Sequence, residues 1–484
     1  MQGDKRHEET SLKKKTFKGT IWSIVERFSV QFIQFVVMIV MARILTPADY
    51  GLVAMLAIFI AVSQSLVDSG FSQALIRKQD RSETDNCTVF FFNIAVGFGL
   101  YAVLFFCAPL IAWFYDEPVL TPLMRVISLS VVANSFVVVQ RALLTVRIDF
   151  KTQAKASLTA AVASGAVGIT MAYTGFGVWS IVWFQLSNLT VNALMLWLLS
   201  HWRPRLLYSW QSFRELFNFG SKLALSGIIN TLYNNIYKLL IGKVFKASDL
   251  GYYSRAHDFS DFPSANLTTV IQRVTYPVLC TIQDNDLRLR DVYRRFLRLS
   301  AFIVFPLMIG LAALARPVVL VFLKEQWLYS ATLLPVICLS MMWYPIHAIN
   351  LNLLQVKGRS DLFLKLEIWK KCIGVVIIIC SIPFGLIGMC WGSVLSSIIC
   401  LIINTYYTGK LIDMGFLKQM RDVVPSLLYS LSMGAVVYMV SAVVPVEWAK
   451  LVAGIPAGLA FYALATKLTG SRDLRELILF VKSK

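Results

Sequence analysis

Several features on which enzymes depend are scarce or absent in this sequence. It lacks a glycine-rich loop of the kind that cradles nucleotide phosphates, so we do not expect the chain to hydrolyse ATP. It has only four histidines, and none lies at metal-ligand spacing from a second histidine or a carboxylate within one loop. Its eight cysteines form no C-x-x-C pair and lie mostly in apolar runs. The sequence therefore predicts no metal, no other cofactor and no enzyme activity.

Charged residues are also scarce. They make up 15% of the 484 residues, against 57% hydrophobic residues, and the mean hydropathy is +0.66. This composition is too apolar for a soluble domain. Apolar runs of about 20 residues, enough to cross a hydrocarbon core about 30 Å thick, recur from Ile21 to Thr466. The expected fold class is an all-α polytopic membrane protein with about fourteen transmembrane helices.

The net charge of +19 has its explanation in membrane orientation rather than in a nucleic-acid partner. With about fourteen crossings, 34 of the 46 Lys and Arg residues fall on one side, 5 fall on the other, and 7 lie within helices. Because a missed or invented helix would scramble this alternation, an even number of crossings is favoured. The positive-inside rule then predicts that both termini are cytoplasmic.

An internal repeat divides the apolar chain into two halves. Three pairs of segments match in the same order at shifts of 200 to 210 residues: Ala42–Gly51 with Gly242–Gly251, Val126–Ser130 with Val336–Ser340, and Phe176-Gly177 with Phe384-Gly385. Six crossings separate equivalent helices, so the halves share an orientation, as the two lobes of many transporters do. The predicted domains are a basic cytoplasmic tail at 1–18, an N-lobe of helices 1–6 at 19–205, a C-lobe of helices 7–12 at 206–410, and two extra helices with a cytoplasmic tail at 411–484.

Two motifs resemble a known family. The first is Ala42-Arg43-x-Leu45-Thr46-Pro47-x-Asp49-Tyr50-Gly51-Leu52, preceded by Trp22 and Glu26-Arg27, and the second is Arg141-x-x-Leu144-x-x-Arg147-x-x-Phe150. They resemble the polysaccharide transporter (Wzx-type) flippases of the multidrug/oligosaccharidyl-lipid/polysaccharide exporter superfamily. The resemblance implies a bacterial inner-membrane protein that turns undecaprenyl-pyrophosphate-linked oligosaccharides from the cytoplasmic to the periplasmic leaflet. It also implies a place in lipopolysaccharide, O-antigen or exopolysaccharide assembly, with membrane lipids, a polysaccharide polymerase and glycosyltransferases as partners.

Charges within the apolar helices are the candidate site residues, because an ionisable side chain in lipid is costly unless it faces a cavity or a partner. A pyrophosphate headgroup needs charge-assisted hydrogen bonds, which the planar guanidinium of arginine provides. Arg27 and Arg255 are the first candidates for a cationic central cavity, in keeping with the resemblance. Lys222, Lys238 and Arg125 are the second candidates.

Carboxylates accompany these cations. Arg255, Asp258 and Asp261 follow one another at three-residue steps, which places them along one helix face. Glu26, Asp258 and Asp261 either bind a coupling proton or sodium ion or balance neighbouring cations, and Asp258 with Arg255 is one possible structural pair. Asp68, ahead of Ser69-Gly70, is interpreted as a structural residue at a helix kink or end.

Two other functions remain open at this point. One is a cation-coupled drug antiporter of the same superfamily, although cationic drugs favour an acidic cavity and the helix charges here are mainly basic. The other is a non-transporting membrane partner of a polysaccharide polymerase complex. The predicted mechanism for the favoured function is alternating access, in which two lobes rock while the polyprenyl tail stays in lipid.

Overall fold

The structure is a computed structural model that describes Trp22, residues 26–68 and residues 70–476. Across these residues the secondary structure is helical and includes no β-strand, as predicted. The tail predicted at 1–18 and the last eight residues of the chain lie outside the described residues. The chain divides into two compact units, one ending at Gly251 and the other beginning at Tyr252.

The helices of the first unit lead directly into one another through short connections. They are α1 (26–42), α2 (Pro47–Asp68), α3 (Phe71–Arg77), α4 (Glu83–Tyr115), α5 (Leu120–Ile127), α6 (Leu129–Ser135), α7 (Val138–Val146), α8 (Phe150–Tyr173), α9 (Val178–Leu199) and α10 (Trp210–Val244).

The next helix, α11 (Ala247–Cys280), carries the chain from the first unit into the second. The second unit continues with α12 (Asp286–Ala313), α13 (Ala315–Leu323), α14 (Leu328–Met341), α15 (Tyr344–Val356), α16 (Ser360–Ser381), α17 (Gly385–Ile412), α18 (Phe416–Val443) and α19 (Glu447–Leu468).

Within the described residues, ten helical stretches are long and apolar enough to cross a membrane. One of them, Ser360–Ile412, has 53 residues and joins α16 to α17, which is about twice the length that one crossing needs. The long helices α10 and α11 are too polar to be among the ten. The chain is therefore a multi-pass membrane protein.

The repeated segments Ala42–Gly51 and Gly242–Gly251 both end in Asp-x-Gly, and in each copy this motif lies in the first turn of a helix, α2 or α11. At the start of α2, Asp49 Oδ2 accepts hydrogen bonds from Thr46 N at 2.9 Å and from Thr46 Oγ1 at 2.7 Å, and this reciprocal cap satisfies amide groups that the helix cannot. At the start of α11, Asp249 Oδ2 accepts from Lys246 N at 3.3 Å. The aspartate of the motif is thus a helix cap.

The glycine of the same motif is a steric requirement. A Cβ atom on Gly51 would lie 1.7 Å from the carbonyl oxygen of Ala247, and one on Gly251 would lie 1.9 Å from that of Pro47. These two contacts are reciprocal, because the first turns of α2 and α11 cross backbone to backbone. A side chain at either position would push the two helices apart.

Small residues allow close helix packing in the first unit. The buried face of α8 consists almost wholly of alanine, glycine and serine, and α9 packs along it. Packing between membrane helices depends on such small side chains, because lipid supplies no hydrophobic driving force. A separate aromatic cluster, centred on the buried Phe71, joins α3 to α4 and α10.

From the sequence, the basic stretch from Asp284 to Arg298 is expected to be a cytoplasmic loop after the eighth helix, in which an interfacial helix can form. In the structure most of it forms the first turns of α12, which continues without a break to Ala313. Arg294 in this stretch forms two hydrogen bonds, at 2.7 and 2.6 Å, to the carboxylate of Asp422 on α18. The charges of this stretch therefore hold α18 to α12.

Candidate functional site

A polar cavity of 560 Å³ lies in the first unit, between α2, α3, α7 and α10. Seven of its lining side chains carry polar or charged groups, and these are Gln64, Ser65, Asp68, Ser72, Gln73, Arg141 and Thr231. Small or apolar residues complete the wall on α10, including Ala224 and Gly227. A wall so rich in hydrogen-bonding groups is unusual for helices of this overall composition, and it makes the cavity the candidate site.

The end of α2 shapes one side of the cavity. The prediction of a helix end near Asp68 is confirmed, because α2 ends there and α3 begins at Phe71. Gly70 between them has φ of 64°, in the left-handed region that favours glycine. A Cβ on Gly70 would lie 2.7 Å from the carbonyl oxygen of Gly220, so α3 begins directly against the backbone of α10.

Asp68 and Arg141 provide the two opposite charges of the cavity wall. Asp68 is exposed to the cavity, and its Oδ1 accepts a hydrogen bond from Asn134 Nδ2 at 3.3 Å. Arg141 on α7 is close enough for its positive charge to act on the same carboxylate. One carboxylate, one guanidinium and two side-chain amides together offer both donors and acceptors. Such a set suits a ligand with many hydroxyl groups.

The sequence signals for this cavity were weak. Gln64 and Asp68 are one turn apart on the same face of an otherwise apolar helix, which is a usable sign of a polar cavity. Arg141, however, is indistinguishable in the sequence from the loop charges that set orientation. None of the five predicted cations lines this cavity.

The predicted residues of α1 lie elsewhere in the first unit. Glu26 Oε1 accepts a hydrogen bond from Ser157 Oγ on α8 at 2.7 Å, and the neighbouring Arg27 is exposed. The two predicted lysines of α10 also differ in surroundings, since Lys222 is exposed and Lys238 is partly exposed. Lys222 directly precedes two residues of the cavity wall, Leu223 and Ala224.

Arg125 is engaged by a neighbouring helix. Its guanidinium carbon lies 4.4 Å from the ring centre of Phe105 on α4, and its Nε donates a hydrogen bond to the Phe105 carbonyl oxygen at 3.5 Å. A cation held over an aromatic face is stabilised by the ring quadrupole. This contact ties α5 to α4.

In the second unit, Arg255 and Asp258 form an ion pair. Arg255 Nη2 lies 2.7 Å from Asp258 Oδ2, and only 14% of the arginine side chain is exposed. The prediction that these residues share one helix face is confirmed by this contact, and the pairing matches the structural alternative that the sequence left open. Asp261 follows one turn later, where its charge acts on Tyr344 of α15.

Within Trp22, 26–68 and 70–476, no three His, Cys, Asp or Glu residues are grouped so that they could hold a metal ion.

The chain is similar to proteins of polysaccharide assembly. A family model described as polysaccharide biosynthesis protein matches residues 40–332. The lipopolysaccharide biosynthesis protein WzxC of Escherichia coli K12 is 26% identical over 83% of this chain and 82% of its own length. The succinoglycan biosynthesis transport protein ExoT of Rhizobium meliloti 1021 is 25% identical over 94% of both chains. The teichuronic acid biosynthesis protein TuaB of Bacillus subtilis 168 is 22% identical over 89% of this chain and 90% of its own.

Two solved structures share the fold. An inward closed conformation of the lipid II flippase MurJ superposes with a TM-score of 0.76 over 96% of this chain and 100% of its own, at 15% identity. An inward-facing multidrug resistance transporter of the MATE family superposes with a TM-score of 0.63 over 80% of this chain and 96% of its own, at 16% identity. The helical architecture is therefore the one found in these two transporters.

Proposed function

Since the chain belongs to the polysaccharide biosynthesis protein family, we propose that it is a flippase for lipid-linked oligosaccharides. It moves polyprenyl-pyrophosphate-linked repeat units from the cytoplasmic to the periplasmic leaflet, for lipopolysaccharide, O-antigen or exopolysaccharide assembly. Its expected partners are the glycosyltransferases that make this substrate and the glycan polymerase that consumes it. The bacterial inner membrane is its expected location.

The proposal rests on the agreement between two independent similarities, one of sequence and one of fold. Over most of its length the chain resembles proteins named for lipopolysaccharide biosynthesis and succinoglycan transport. Its fold, compared independently of those sequences, resembles that of the lipid II flippase MurJ. A flippase for a lipid-linked sugar is the activity on which both likenesses agree.

The polar cavity supplies a place for the sugar part of the substrate. Each sugar hydroxyl both donates and accepts a hydrogen bond, and the carboxylate of Asp68, the guanidinium of Arg141 and the amides of Gln64 and Gln73 complement such groups. Water-filled polar cavities allow polar groups to exist at membrane depth, whereas a lipid-facing position would leave them unsatisfied. The polyprenyl tail needs no such cavity, because it stays in lipid throughout.

The finer architecture inferred from the sequence remains part of the proposal. It comprises fourteen crossings, two six-helix lobes in a parallel repeat, two further helices, and cytoplasmic termini. Arg27 and Arg255 remain the proposed ligands of the pyrophosphate, with Lys222, Lys238 and Arg125 as further cations. Glu26, Asp258 and Asp261 remain the proposed ion-coupling or charge-balancing carboxylates.

The test is flipping of a fluorescent polyprenyl-pyrophosphate oligosaccharide in proteoliposomes. Wild-type protein is compared with Asp68→Asn, with Arg141→Gln, and with Arg147→Gln as a matched control at the exposed end of the same helix. Loss of one charge-assisted hydrogen bond should slow flipping about tenfold in the two cavity variants, while the control keeps the wild-type rate.

The result also separates the competing functions. If the wild-type protein flips no lipid-linked glycan but exports drugs in exchange for protons or sodium ions, it is an antiporter of the kind that the second fold likeness represents. If it does neither and instead co-purifies with a polymerase, the non-transporting reading applies.

A further inference from the structure

A histidine lies at the centre of a polar cluster in the second unit, where α14, α15 and α17 meet. Nε2 of His347 lies 3.1 Å from Ser397 Oγ, and its Nδ1 lies 3.1 Å from Asn404 Nδ2. Ser397 Oγ donates in turn to the carbonyl oxygen of Ser340 at 3.2 Å. Both ring nitrogens therefore have polar partners within helices long and apolar enough to cross the membrane.

These contacts define the protonation state of the ring. An amide nitrogen can only donate, so Nδ1 of His347 must accept the hydrogen bond from Asn404. The single ring proton then lies on Nε2 and is donated to Ser397, whose own hydrogen is used on Ser340. In this arrangement the imidazole is neutral.

The other half of the Asn404 amide is unused. Its Oδ1 is buried and has no hydrogen-bond partner among the described residues. The oxygen and nitrogen of an amide have nearly the same size, so a half-turn of the side chain would place Oδ1 against Nδ1 without repacking. An oxygen there would accept a hydrogen bond from a protonated ring. Asn404 can thus serve both the neutral and the charged forms of His347.

Several titratable groups lie near this histidine, and the charge of one of them, Lys370, acts on the ring itself. From α16, Lys370 is 9% exposed, forms an ion pair with Glu367, and acts on His347 through its positive charge. The remaining titratable groups of the cluster are Cys400 on α17, within electrostatic reach of Lys370 and Glu367, Tyr344 on α15, within reach of Glu367, and Asp261 on α11, which acts on Tyr344. Lys370 carries one positive charge and Glu367 and Asp261 carry two negative charges, so the formal charge of the cluster is −1 while the imidazole is neutral.

A neighbouring polar network shows what a purely structural arrangement looks like. Asn350 and Gln419 exchange two hydrogen bonds of 3.0 Å, and Thr408 Oγ1 donates to Asn350 Oδ1 at 2.7 Å. Every side-chain oxygen and nitrogen of this network is bonded, and it fixes α15 to α17 and α18. The cluster at His347 differs, because it combines an unpaired amide oxygen with five charged or titratable groups nearby.

We propose that His347 is a proton-binding site whose occupancy changes between two conformations of the protein. In the present arrangement Nδ1 of the ring accepts from Asn404 and Nε2 donates to Ser397, so the ring carries one proton. In an alternate arrangement that brings Glu367 to the ring, or water into the cluster, a proton from water binds Nδ1 and the Asn404 amide turns. The cluster charge then rises from −1 to zero, and a lower pH favours the alternate conformation.

The proposal rests on the proposed function only in its consequence, which is that proton uptake at His347 is coupled to the movement of the lipid-linked sugar. This site is separate from Glu26 and Asp258, two of the carboxylates that the sequence suggested for coupling, while the third, Asp261, acts on Tyr344 at its edge. Proton binding itself can be measured without any transport.

The first experiment measures the ring directly. The full chain, labelled with 15N-histidine and placed in lipid nanodiscs, has only four histidine signals, and His347→Gln identifies the one of interest. We expect a neutral ring with its proton on Nε2 in the wild type near pH 8. Lys370→Met should raise the midpoint of its protonation by about one pH unit or more, because a like charge is removed and Glu367 is released. An unchanged midpoint would overturn the proposal.

The second experiment measures the coupling in proteoliposomes. An imposed pH gradient should change the flipping rate of the wild type and of His201→Gln, whose histidine is exposed after α9. His347→Gln should flip at one rate with or without the gradient, and a retained gradient effect in this variant would overturn the coupling. If no variant flips the glycolipid, the proposed function fails instead, and the ring measurement still decides whether His347 binds a proton.

Discussion

At the scale of single residues, the glycines of the repeated motif carry a sharp expectation. Gly51→Ala and Gly251→Ala each force a methyl group to within 2 Å of a backbone carbonyl, as the distances of 1.7 and 1.9 Å show. Backbone cannot move aside as a side chain can, so we expect a cost of about 3 kcal/mol or more. The melting temperature of purified protein in detergent should fall in both variants.

A matched glycine elsewhere controls for the substitution itself. Gly99 lies inside α4, and a Cβ atom added there would have no neighbouring atom within 4 Å. Gly99→Ala should keep the wild-type melting temperature or raise it, because alanine favours a helix by about 1 kcal/mol over glycine. Equal losses in all three variants would mean that the crossing of α2 and α11 is not the cause.

Exchanging the two charges of the ion pair between Arg255 and Asp258 distinguishes a substrate-binding role of Arg255 from a charge-balancing role. If the pair only neutralises a buried charge, the exchanged variant Arg255→Asp with Asp258→Arg keeps the pair and the activity. If Arg255 binds the pyrophosphate, its planar guanidinium is required at that position. We then expect flipping by the exchanged variant to fall at least about tenfold while the melting temperature is retained. The measurement is glycolipid flipping beside thermal melting, and full activity in the exchanged variant would remove Arg255 from the site.

At the scale of helices, Lys78 clamps three elements together. Following α3, its Nζ lies 3.2 Å from Asp85 at the start of α4 and 3.0 Å from Glu215 on α10. Burial lowers the pKa of Lys78, but hydrogen bonds to these two carboxylates outweigh it and leave the pKa above the ordinary value of 10.5. The clamp therefore stabilises the folded state below that pH and is lost as the pH rises through the higher folded value.

Removal of the clamp should be measurable. Lys78→Met leaves the carboxylate of Asp85, whose side chain is 3% exposed, without a cation and with only neutral partners, Ser82 and Ser212. We expect a loss of about 1–3 kcal/mol near neutral pH, seen as a lower melting temperature. The difference from wild type should shrink as the pH rises above the ordinary lysine pKa of 10.5 and the wild-type lysine loses its charge. A difference that stays constant across this range would point to lost packing instead.

Helix starts are the elements that the sequence predicts best. Asp49 and Asp249 lie in the first turns of α2 and α11, which begin at Pro47 and Ala247, and such caps can be read from the sequence because they are made by residues within one turn of each other. A basic stretch reads as cytoplasmic whether or not it is helical, so the sequence did not show that Asp286 begins a long helix. Nor did it show that Lys370 is buried in α16.

At the scale of the whole molecule, the orientation of the chain can be tested at the two ends of the segment formed by α12 and α13. The positive-inside rule places Arg288 in the cytoplasm and Lys324 outside, on either end of α12 and α13. In a variant whose native cysteines are replaced by serine, Lys324→Cys should react with a membrane-impermeant maleimide on intact cells. Arg288→Cys should react only after permeabilisation, and labelling of both residues from one side would refute the predicted crossing.

The sequence alone determined the class of this protein, the family it resembles and the position of its helix caps. Each of these depends on transfer of apolar side chains into lipid or on contacts within one helical turn, both of which are local properties of the chain. Only the tertiary structure decided that Asp68 and Arg141, 73 residues apart, line one cavity, and that His347 meets Asn404 and Lys370. Those contacts depend on how separate helices pack, and no spacing within the sequence encodes that directly.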